Sequence, residues 1–408
     1  MKLTNTSESM AAQSVPLRIL HIICSLSPAD GGPTEAVRQL ASAYSNAGIS
    51  AEVVCLDNPD EPFLKEISCT VHALGESHLG RYSFSPRLWQ WLRKNAATYD
   101  AIVVNGIWTF IGIAARSAAR HAGLPYGVFI HGALDPWFNN QYPLKHIKKS
   151  LYWPIQYGVL RDARAVFFTT DAERELALRS FSPNRWRSKV VPYGIGDPDH
   201  PQSQTGSPAS QVEAFYTRLP MLRGRRYLLF VGRIHQKKGC DLLVQAFARF
   251  AVQEPEVDVV IAGPDQVGWQ SKLQEMCVNL GISNRVHWPG QIRGELKWGA
   301  LRACEAFVLP SHQENFGIAV VEALAVGRPV LISNQVNIWP EIVADQTGIA
   351  EEDTLEGVKQ MLRRWFALTP EERVNYAARA RPTFLSRYAI ERAVGVIVGE
   401  LLPGKEVQ

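Results

Sequence analysis

Two glutamates, Glu314 and Glu322, lie on either side of a predicted helix start near Gly317. An apolar strand ends before them at Pro310, and a polar loop carries Glu314. Unpaired N–H groups at a helix start, together with the helix dipole, favour anions such as a diphosphate. Carboxylates nearby accept hydrogen bonds from sugar hydroxyls. The combination suits a nucleotide sugar, although either glutamate alone would more often be an ordinary surface charge.

The elements that must position these residues alternate regularly in the first half of the chain. Short apolar runs predict buried strands. Residues 34–47 and 111–122 show helical spacing, with Pro33 suited to a first helical turn and Gly48 to a helix end. The predicted strands are residues 17–24, 51–56, 101–104, 127–130 and 165–169. Buried strands that alternate with helices predict a parallel, doubly wound α/β sheet.

The second half repeats this rhythm after a Pro-, Gly- and Ser-rich stretch between about residues 194 and 224. The predicted strands are residues 227–231, 257–262, 285–288, 306–309 and 329–333, and the predicted helices are 241–252, 269–280 and 317–326. Two sheets facing each other across a cleft place a ligand site at the carboxyl ends of their strands. The loop residues of chemical interest that follow such strands are Gly31, Gly32, His131, Arg233 and Lys238. Each of them alone is also typical of an ordinary turn or solvated loop.

The composition excludes several classes of protein. The chain has 408 residues, 46% hydrophobic and 20% charged, which excludes a disordered, collagen-like or disulfide-stapled protein. Its formal charge of +4, from 43 Lys and Arg against 39 Asp and Glu, gives no sign of a dedicated nucleic-acid binder. Six widely spaced cysteines without a C-x-x-C pair predict buried thiols in a reducing compartment. Because no apolar run approaches the ~18–20 residues of a membrane span, we expect a cytoplasmic protein.

Other catalytic motifs are missing from the sequence or badly placed in it. Asp197-Pro198-Asp199 has the D-x-D pattern of a metal–diphosphate site, but it lies in the Pro-rich connection instead of at a strand end. There is no P-loop, no strand-linked G-x-G-x-x-G and no G-x-S-x-G, and His287 and His312 have no clustered partners. The sequence therefore argues against a P-loop NTPase, a dinucleotide oxidoreductase, a hydrolase triad and a zinc site, and we expect no metal.

Seven residues separate Glu314 from Glu322, and Ala-Leu-Ala-Val-Gly-Arg-Pro-Val follows, so this segment resembles the E-x7-E signature of retaining family-4 glycosyltransferases. Other segments agree with that family in order and spacing. Residues 232–239 resemble its G-R-x-x-x-x-K-G, 261–265 its strand-end glycine loop, 191–195 its V-P-N-G-V, 30–32 its N-terminal glycine loop and 130–137 its H-G-x-L-D-P-W. The resemblance covers about residues 17–395.

The resemblance implies a GT-B fold, two Rossmann-like domains facing a central cleft, with a nucleoside diphosphate sugar as the donor. It implies that Arg233 and Lys238 bind the diphosphate in place of a metal and neutralise the leaving group. Glu314 would hold the donor sugar, Glu322 the ribose, and His131 would lie near the reacting bond. The four implied catalytic residues are His131, Arg233, Lys238 and Glu314. The other implied donor-binding residues are Gly31, Gly32, Gly263, Ile292, Asn315, Phe316, Gly317 and Glu322.

The predicted organisation has five parts. They are a disordered tail at residues 1–16, an acceptor-side domain at 17–200, a linker at 201–223, a donor-binding domain at 224–384 and a C-terminal helix at 385–408. We expect the last helix to pack back on the first domain. The expected reaction transfers a hexose to a sugar hydroxyl of a glycan with retention of configuration. UDP-glucose is the expected donor, because uridine nucleotides are the commonest donors in the family.

Two aromatic and basic stretches, residues 81–94 and 145–153, combine cationic and interfacial side chains, as proteins resting on anionic lipid do. Ordinary surface helices are the alternative interpretation. A membrane contact would make the acceptor a lipid-linked glycan, built at the inner face of the membrane in polysaccharide biosynthesis. Two other functions stay open: a noncatalytic nucleotide-sugar-binding scaffold subunit, and an enzyme of this fold whose acceptor is phosphorylated and meets Lys145, Lys148 and Lys149.

Overall fold

The computed structural model describes residues 16–28, 31–136, 143–200 and 206–405. Residues 1–15 of the tail predicted at residues 1–16 lie outside these ranges. Asp30 and Trp137, which belong to the two N-terminal loop motifs, also lie outside them. The described chain forms two α/β domains with a cleft between them. No helix within these ranges has both the length and the apolar character needed to cross a membrane.

The first domain is built on a parallel sheet. Its strands are β1 (Arg18–Ile23), β2 (Ser50–Cys55), β3 (Thr70–Ala73), β4 (Ala101–Asn105), β5 (Tyr126–Phe129), β6 (Ala165–Phe168) and β7 (Ser188–Val190). Its helices are α1 (Gly32–Asn46), α2 (Pro86–Asn95), α3 (Phe110–Ala122), α4 (Pro143–Asp162) and α5 (Asp171–Ala177). The strand order is β3-β2-β1-β4-β5-β6-β7. The order reverses between β1 and β4, where a doubly wound sheet opens its ligand crevice.

The second domain repeats this plan with six strands. They are β8 (Arg226–Val231), β9 (Val257–Ala262), β10 (Val286–Gly290), β11 (Ala306–Leu309), β12 (Val330–Ser333) and β13 (Gly348–Glu351), in the order β10-β9-β8-β11-β12-β13. The helices are α6 (Pro208–Arg218), α7 (Cys240–Ala248), α8 (Trp269–Asn279), α9 (Gly294–Ala303), α10 (Ile318–Ala325), α11 (Trp339–Ala344), α12 (Leu355–Phe366) and α13 (Pro370–Thr383). A π-helical turn, Phe384–Tyr388, leads into the last helix, α14 (Ile390–Leu401). The two doubly wound parallel sheets predicted from the sequence are confirmed.

Burial explains why these apolar runs form central strands. All six residues of β9 are buried, including Asp258, whose carboxylate accepts hydrogen bonds from Arg225 and Arg285. Helices cover the sheets with one apolar face each. The first of them, α1, has Pro33 in its first turn and Gly48, with φ of +66°, just beyond its end, as the sequence predicts.

The segment predicted as a linker, residues 201–223, contains a packed helix. Helix α6 lies within it, packs on α9 of the second domain and buries Phe215 completely. Ser207 caps this helix with its side chain, and Pro208 occupies the first turn. Ser207 and Pro208, which belong to the stretch that suggested a linker, therefore start a helix that packs on the second domain.

The C-terminal helix α14 lies against α1 of the first domain. The chain thus crosses between the domains twice, and the two crossings meet. The Ile195 N–H donates to the Tyr388 carbonyl at 3.1 Å, and the Ile390 N–H donates to the Ile195 carbonyl at 3.1 Å. Gly194 permits this contact, because a Cβ there would lie 2.4 Å from the Cα of Ile390.

Candidate functional site

The carboxyl ends of the two sheets enclose a cavity of about 330 Å³ between the domains. Its lining includes Gly31, Gly32, His131 and Tyr193 from the first domain and Arg233, Lys238 and residues 314–319 from the second. All but three of the residues predicted for the site line this cavity. The exceptions are Gly263, Ile292 and Glu322.

The two cations of the lining belong to the loop between β8 and α7, which tight backbone contacts hold in place. The loop ends at Gly239, where φ is +67° and a Cβ would lie 2.0 Å from the Pro310 carbonyl oxygen. On its other side, a Cβ at Gly263 would lie 1.7 Å from the Gly232 carbonyl oxygen. Glycine at both positions lets the loop pack directly on the ends of the neighbouring strands. Gly263 therefore supports the basic loop and does not line the cavity.

These two cations differ in their surroundings. Arg233 is exposed and makes no hydrogen bond or ion pair with any of the residues that the structure describes. Lys238 forms an ion pair with Glu314, and the two side chains are only 14% and 22% exposed. Burial lowers the pKa of the adjacent Lys237, and the positive charges of Lys238 and Arg233 lower it further. The loop therefore concentrates positive charge at the cavity.

The polar loop between β11 and α10 is fixed by backbone hydrogen bonds. The Glu314 N–H donates to the Gln335 carbonyl at 2.9 Å, and the Glu314 carbonyl accepts from the Asn337 N–H at 3.0 Å. Gly317, with φ of +82°, then begins α10, whose first turn lines the cavity. The first N–H groups of a helix have no partner within it. An anion at this end of the cavity would meet these donors and the positive end of the helix dipole.

His131 follows β5 in an uncommon left-handed conformation, with φ of +53°. Its ring stacks on Phe129 with 5.4 Å between centroids, and its Nε2 lies 3.5 Å from the Tyr193 hydroxyl. Burial lowers the pKa of His131 below its usual value, and the nearby His21 contributes a smaller lowering. The imidazole is therefore neutral at pH 7, and its Nδ1 has no hydrogen-bond partner within the described ranges.

Glu322 lies three residues after the cavity-lining Ala319, on the same face of α10. Its carboxylate accepts a hydrogen bond from the Lys297 ammonium at 2.6 Å, which joins α10 to α9. Burial lowers the pKa of Lys297, but Glu322 and, to a smaller extent, Glu35 together raise it by more, so the net shift is upward. Ile292, just before α9, is 6% exposed. The structure thus places Glu322 in an ion pair behind the lining and buries Ile292.

Three residues at the cleft are missing from the predicted site: Thr169, Gln313 and Tyr193. The Asn315 amide donates to the Thr169 hydroxyl at 2.9 Å, and the Gln313 amide donates to the Asp135 carboxylate at 3.0 Å, so both bonds join the two domains. Tyr193 lines the cavity where the family pattern V-P-N-G-V has asparagine. That departure is the one sequence signal that could have drawn attention to it.

The D-x-D pattern rejected above has partners of its own. Asp197 accepts hydrogen bonds from Arg381 at 2.8 and 3.0 Å, and Asp199 pairs with Arg302. The two carboxylates tie the connection between the domains to α13 and α9. In the part of the chain that the structure describes, no group of three or more His, Cys, Asp or Glu side chains is arranged to hold a metal ion.

Two family models match the chain, one for each domain. The model described as glycosyl transferase 4-like domain matches residues 31–194, and the model described as glycosyl transferases group 1 matches residues 218–382. The chain is a family 4-like glycosyltransferase. The family predicted from the motifs is confirmed, and so is the prediction that the protein is a transferase enzyme.

Curated relatives of this glycosyltransferase match it over different lengths. Mannosylfructose-phosphate synthase of Agrobacterium fabrum is 23% identical over 364 residues, which cover 81% of this chain and 78% of the relative. A D-inositol 3-phosphate glycosyltransferase of Mycobacteroides abscessus is 37% identical over 159 residues, which cover 36% of this chain and 34% of the relative. The match to the second enzyme therefore spans about a third of its length.

Solved structures share the fold of this glycosyltransferase over nearly its whole length. HepE of Anabaena, in complex with UDP and glucose, has a TM-score of 0.73 at 18% identity and covers 95% of this chain and 100% of its own. Sucrose-phosphate synthase of Thermosynechococcus elongatus has a TM-score of 0.71 at 20% identity, with coverage of 95% and 100%. This likeness confirms the predicted GT-B architecture of two Rossmann-like domains facing a cleft.

Proposed function

We propose that this glycosyltransferase moves glucose from UDP-glucose to a sugar hydroxyl of a glycan, with retention of configuration and without a metal ion. The observation that carries the proposal is the cavity shared by the domains, where Arg233, Lys238 and the start of α10 lie opposite His131. The cavity offers cations for a diphosphate and, paired with Lys238, the carboxylate of Glu314 for the hydroxyls of a sugar, which suits a diphosphate joined to a sugar. HepE, which shares the fold, has been solved with UDP and with UDP-glucose, and this supports the choice of donor.

The cationic loop and the start of α10 would stabilise the leaving group. As the bond between the sugar and the diphosphate breaks, negative charge builds on UDP, and preorganised donors near that charge lower the barrier. Arg233 has no competing partner in the described part of the chain, whereas Lys238 is held by Glu314. On donor binding, Lys238 would turn to the phosphate and Glu314 to the hydroxyls of the sugar. Because these cations neutralise the leaving group, the proposed reaction does not call for a metal.

Attack on the same face of the sugar would give retention without a covalent intermediate. Among the described lining residues, Glu314 is the one carboxylate, and its role in holding hydroxyls leaves no nucleophile for a covalent glycosyl-enzyme. The sugar would pass through a short-lived oxocarbenium-like ion pair. The leaving phosphate would accept the proton of the acceptor hydroxyl, with the neutral His131 beside the reacting carbon.

A thermal-shift titration with UDP, GDP, ADP and TDP in excess EDTA tests the donor site. A ligand at about 100 times its Kd stabilises a protein by about 2.7 kcal/mol, so a selective rise with UDP is expected. NMR analysis of the product formed from UDP-glucose then gives the anomeric configuration. A shift with another base alone, a shift that EDTA abolishes, or an inverted product would each remove the corresponding part of the proposal.

The first domain carries a surface that suits a lipid-linked acceptor. Four large apolar side chains on α4 are exposed, Leu144, Ile147, Leu151 and Ile155, at 76, 58, 80 and 52%. Their spacing of three or four residues puts them on one stripe of the helix. Lys145 and Lys148 lie beside the stripe, and the helix has no acidic residue before Asp162. An apolar stripe with basic neighbours is typical of helices that rest on anionic lipid.

We infer that α4 rests on the inner face of the membrane and brings the cleft to a lipid-linked glycan. Cosedimentation with vesicles containing phosphatidylglycerol, compared with pure phosphatidylcholine vesicles, tests this. The double variant Ile147→Ser and Leu151→Ser should lose binding to anionic vesicles while its UDP affinity is unchanged. Leu178→Ser, at an apolar residue 43% exposed outside α4, is the control. Equal binding of both variants to anionic vesicles, or no binding of the wild type to them, would contradict the proposed membrane contact.

A second acceptor class, a sugar phosphate, is favoured by Lys149. Its ammonium lies 4.7 Å above the ring of Trp108, whose indole N–H donates to the Ala133 carbonyl in the His131 loop at 3.2 Å. Burial lowers the pKa of Lys149, and no carboxylate pairs with it in the described ranges. Sugar phosphates and unphosphorylated glycans assayed side by side separate the two classes. Lys149→Met should slow transfer to phosphorylated acceptors alone.

A further inference from the structure

A buried carboxylate, Glu173 of α5, holds the His131 loop from behind. Its Oε1 accepts a hydrogen bond from the Gly132 N–H at 2.5 Å. Its Oε2 accepts from the Thr169 N–H at 2.6 Å and from the Thr169 hydroxyl at 2.7 Å. The residue is 4% exposed, and no cation pairs with it in the part of the chain that the structure describes. Burial raises the pKa of Glu173, and hydrogen bonds from Thr169, Gly132 and the Asn315 side chain lower it in part. These hydrogen bonds, in place of a salt bridge, offset some of the cost of burying the carboxylate.

The same cluster reaches across the cleft. The Thr169 hydroxyl, which donates to Glu173, accepts from the Asn315 amide of the second domain at 2.9 Å. Gly132 is also close to Asn315, because a Cβ at Gly132 would lie 3.1 Å from the Asn315 Cγ. A continuous chain of hydrogen bonds thus joins the His131 loop to the loop that begins α10.

The backbone at His131 needs a firm anchor. His131 and Gly132 have φ of +53° and +74°, and a left-handed conformation is unfavourable for a residue that has a Cβ. The peptide unit between them is planar and trans, so its N–H and its carbonyl point in opposite directions. The bond from the Gly132 N–H to Glu173 therefore turns the His131 carbonyl away from α5.

We propose that Glu173 is a positioning residue for glycosyl transfer. It holds the His131 peptide in the orientation that the reacting sugar requires, and through Thr169 it links that orientation to the position of Asn315 in the other domain. Docking of the second domain on the first and ordering of the His131 loop then occur together. The inference rests on the proposed function, since the sugar that needs this orientation is the sugar of the donor.

The cluster distinguishes a carboxylate from an amide of the same shape. Both carboxylate oxygens of Glu173 accept from backbone N–H groups, so the NH₂ of a glutamine would face one of these donors in either orientation. Glu173→Gln therefore breaks one anchor while it keeps the volume. Glu175 lies two residues further along α5 and is exposed, so Glu175→Gln is the matched control.

The experiment measures kcat for UDP-glucose and the Kd for UDP in the full chain. Glu173→Gln should lower kcat by about 10- to 100-fold and leave the Kd for UDP unchanged within about twofold, because misplaced reacting groups slow turnover and not nucleotide binding. Glu175→Gln should behave as the wild type. A Glu173→Gln protein with a lower melting temperature and a wild-type kcat would make the residue merely structural and overturn the inference.

Thr169 supplies a second test that does not depend on the folding of Glu173→Gln. Thr169→Val removes the hydroxyl that joins Glu173 to Asn315 and should lower kcat, whereas Thr169→Ser should restore it. A Thr169→Val protein as active as Thr169→Ser would overturn the link across the cleft. Failure of the proposed function would show differently, as a wild type that does not bind UDP, whereas failure of this inference leaves UDP binding intact and kcat equal in all variants.

Discussion

Replacing Glu314 by glutamine is expected to change nucleotide binding and turnover in opposite directions. In the structure the Glu314 carboxylate holds the Lys238 ammonium, and the two side chains are only 22% and 14% exposed. UDP has no sugar to occupy Glu314, so its diphosphate must draw Lys238 away from that carboxylate. Glu314→Gln removes this competition and leaves Lys238 available to the phosphate. UDP should therefore bind more tightly to the variant than to the wild type.

The size of the effect follows from the burial of the pair. Fully exposed ion pairs contribute about 0.2–1 kcal/mol, and this pair is more enclosed but still reached by water, so about 1 kcal/mol applies. At about 1.4 kcal/mol per tenfold change, the Kd for UDP should fall about fivefold. Turnover of UDP-glucose should fall by about 10- to 100-fold, because a hydrogen bond to a charged group contributes about 1.5–3 kcal/mol.

Calorimetric titration with UDP and steady-state kinetics with UDP-glucose, at one fixed ionic strength, measure the two quantities. Glu400→Gln is the control, because it breaks a different Lys–Glu pair, with Lys189 at 2.7 Å, that does not line the cavity. Unchanged or weaker UDP binding by Glu314→Gln, with the control at the wild-type value, would refute the reasoning. Lys238 would then either not be held back by Glu314 or not meet the diphosphate.

Three further changes test other parts of the molecule. Arg233→Ala should remove about 2–4 kcal/mol of transition-state stabilisation, which is measured as a lower kcat/KM for the donor. A kcat/KM near that of the wild type would take Arg233 out of the diphosphate site. Glu322→Ala should weaken UDP binding, measured by calorimetry, more than it lowers kcat; the reverse pattern would argue against a ribose contact. Burial lowers the pKa of His21 to about 3. In the unfolded chain His21 binds a proton below about pH 6.5, whereas in the folded protein it does so only near pH 3. The free energy of unfolding should therefore fall as pH drops towards 3, by up to about 1.4 kcal/mol per pH unit. His21→Asn should have a shallower slope in urea unfolding between pH 6.5 and 4.5, and equal slopes would contradict this.

The central strands were predictable because they are buried on both faces and therefore apolar without interruption. Residues 257–262 and 306–309 form strands with the bounds that the sequence predicts. The strands that the sequence analysis misses, β3, β7 and β13, are short and lie at or near the sheet edges. In β7 no residue is fully buried, so the apolar pattern on which such predictions rest is absent there.

The site, like the sheets, contains residues that the sequence predicts and residues that it does not. The cationic loop and the glutamate loop follow strands directly, and their residue types in that position indicate a phosphate and sugar site. Glu173 and Thr169 could not be found in this way, because their roles depend on distant segments. Glu173 meets Gly132 across 41 positions of sequence, and Thr169 meets Asn315 across 146. The Glu173–Gly132 contact exists only once the first domain has folded, and the Thr169–Asn315 contact only once the two domains have also docked.

Because the chain crosses between the domains twice, the second domain is an insertion within the chain of the first domain. The first domain is complete only with α14, because that helix packs against α1, whose buried residues include Leu40 and Tyr44. A fragment that stops near residue 200 would leave this apolar face bare. The second domain, by contrast, is one continuous stretch whose two junctions meet in the backbone pairing at Ile195. Exchanging that stretch between relatives would need a geometric match at this seam and at the contacts across the cleft, such as the hydrogen bond from Asn315 to Thr169. Under the proposed function, the choice of donor would then change with the exchanged stretch, while the acceptor surface would stay the same.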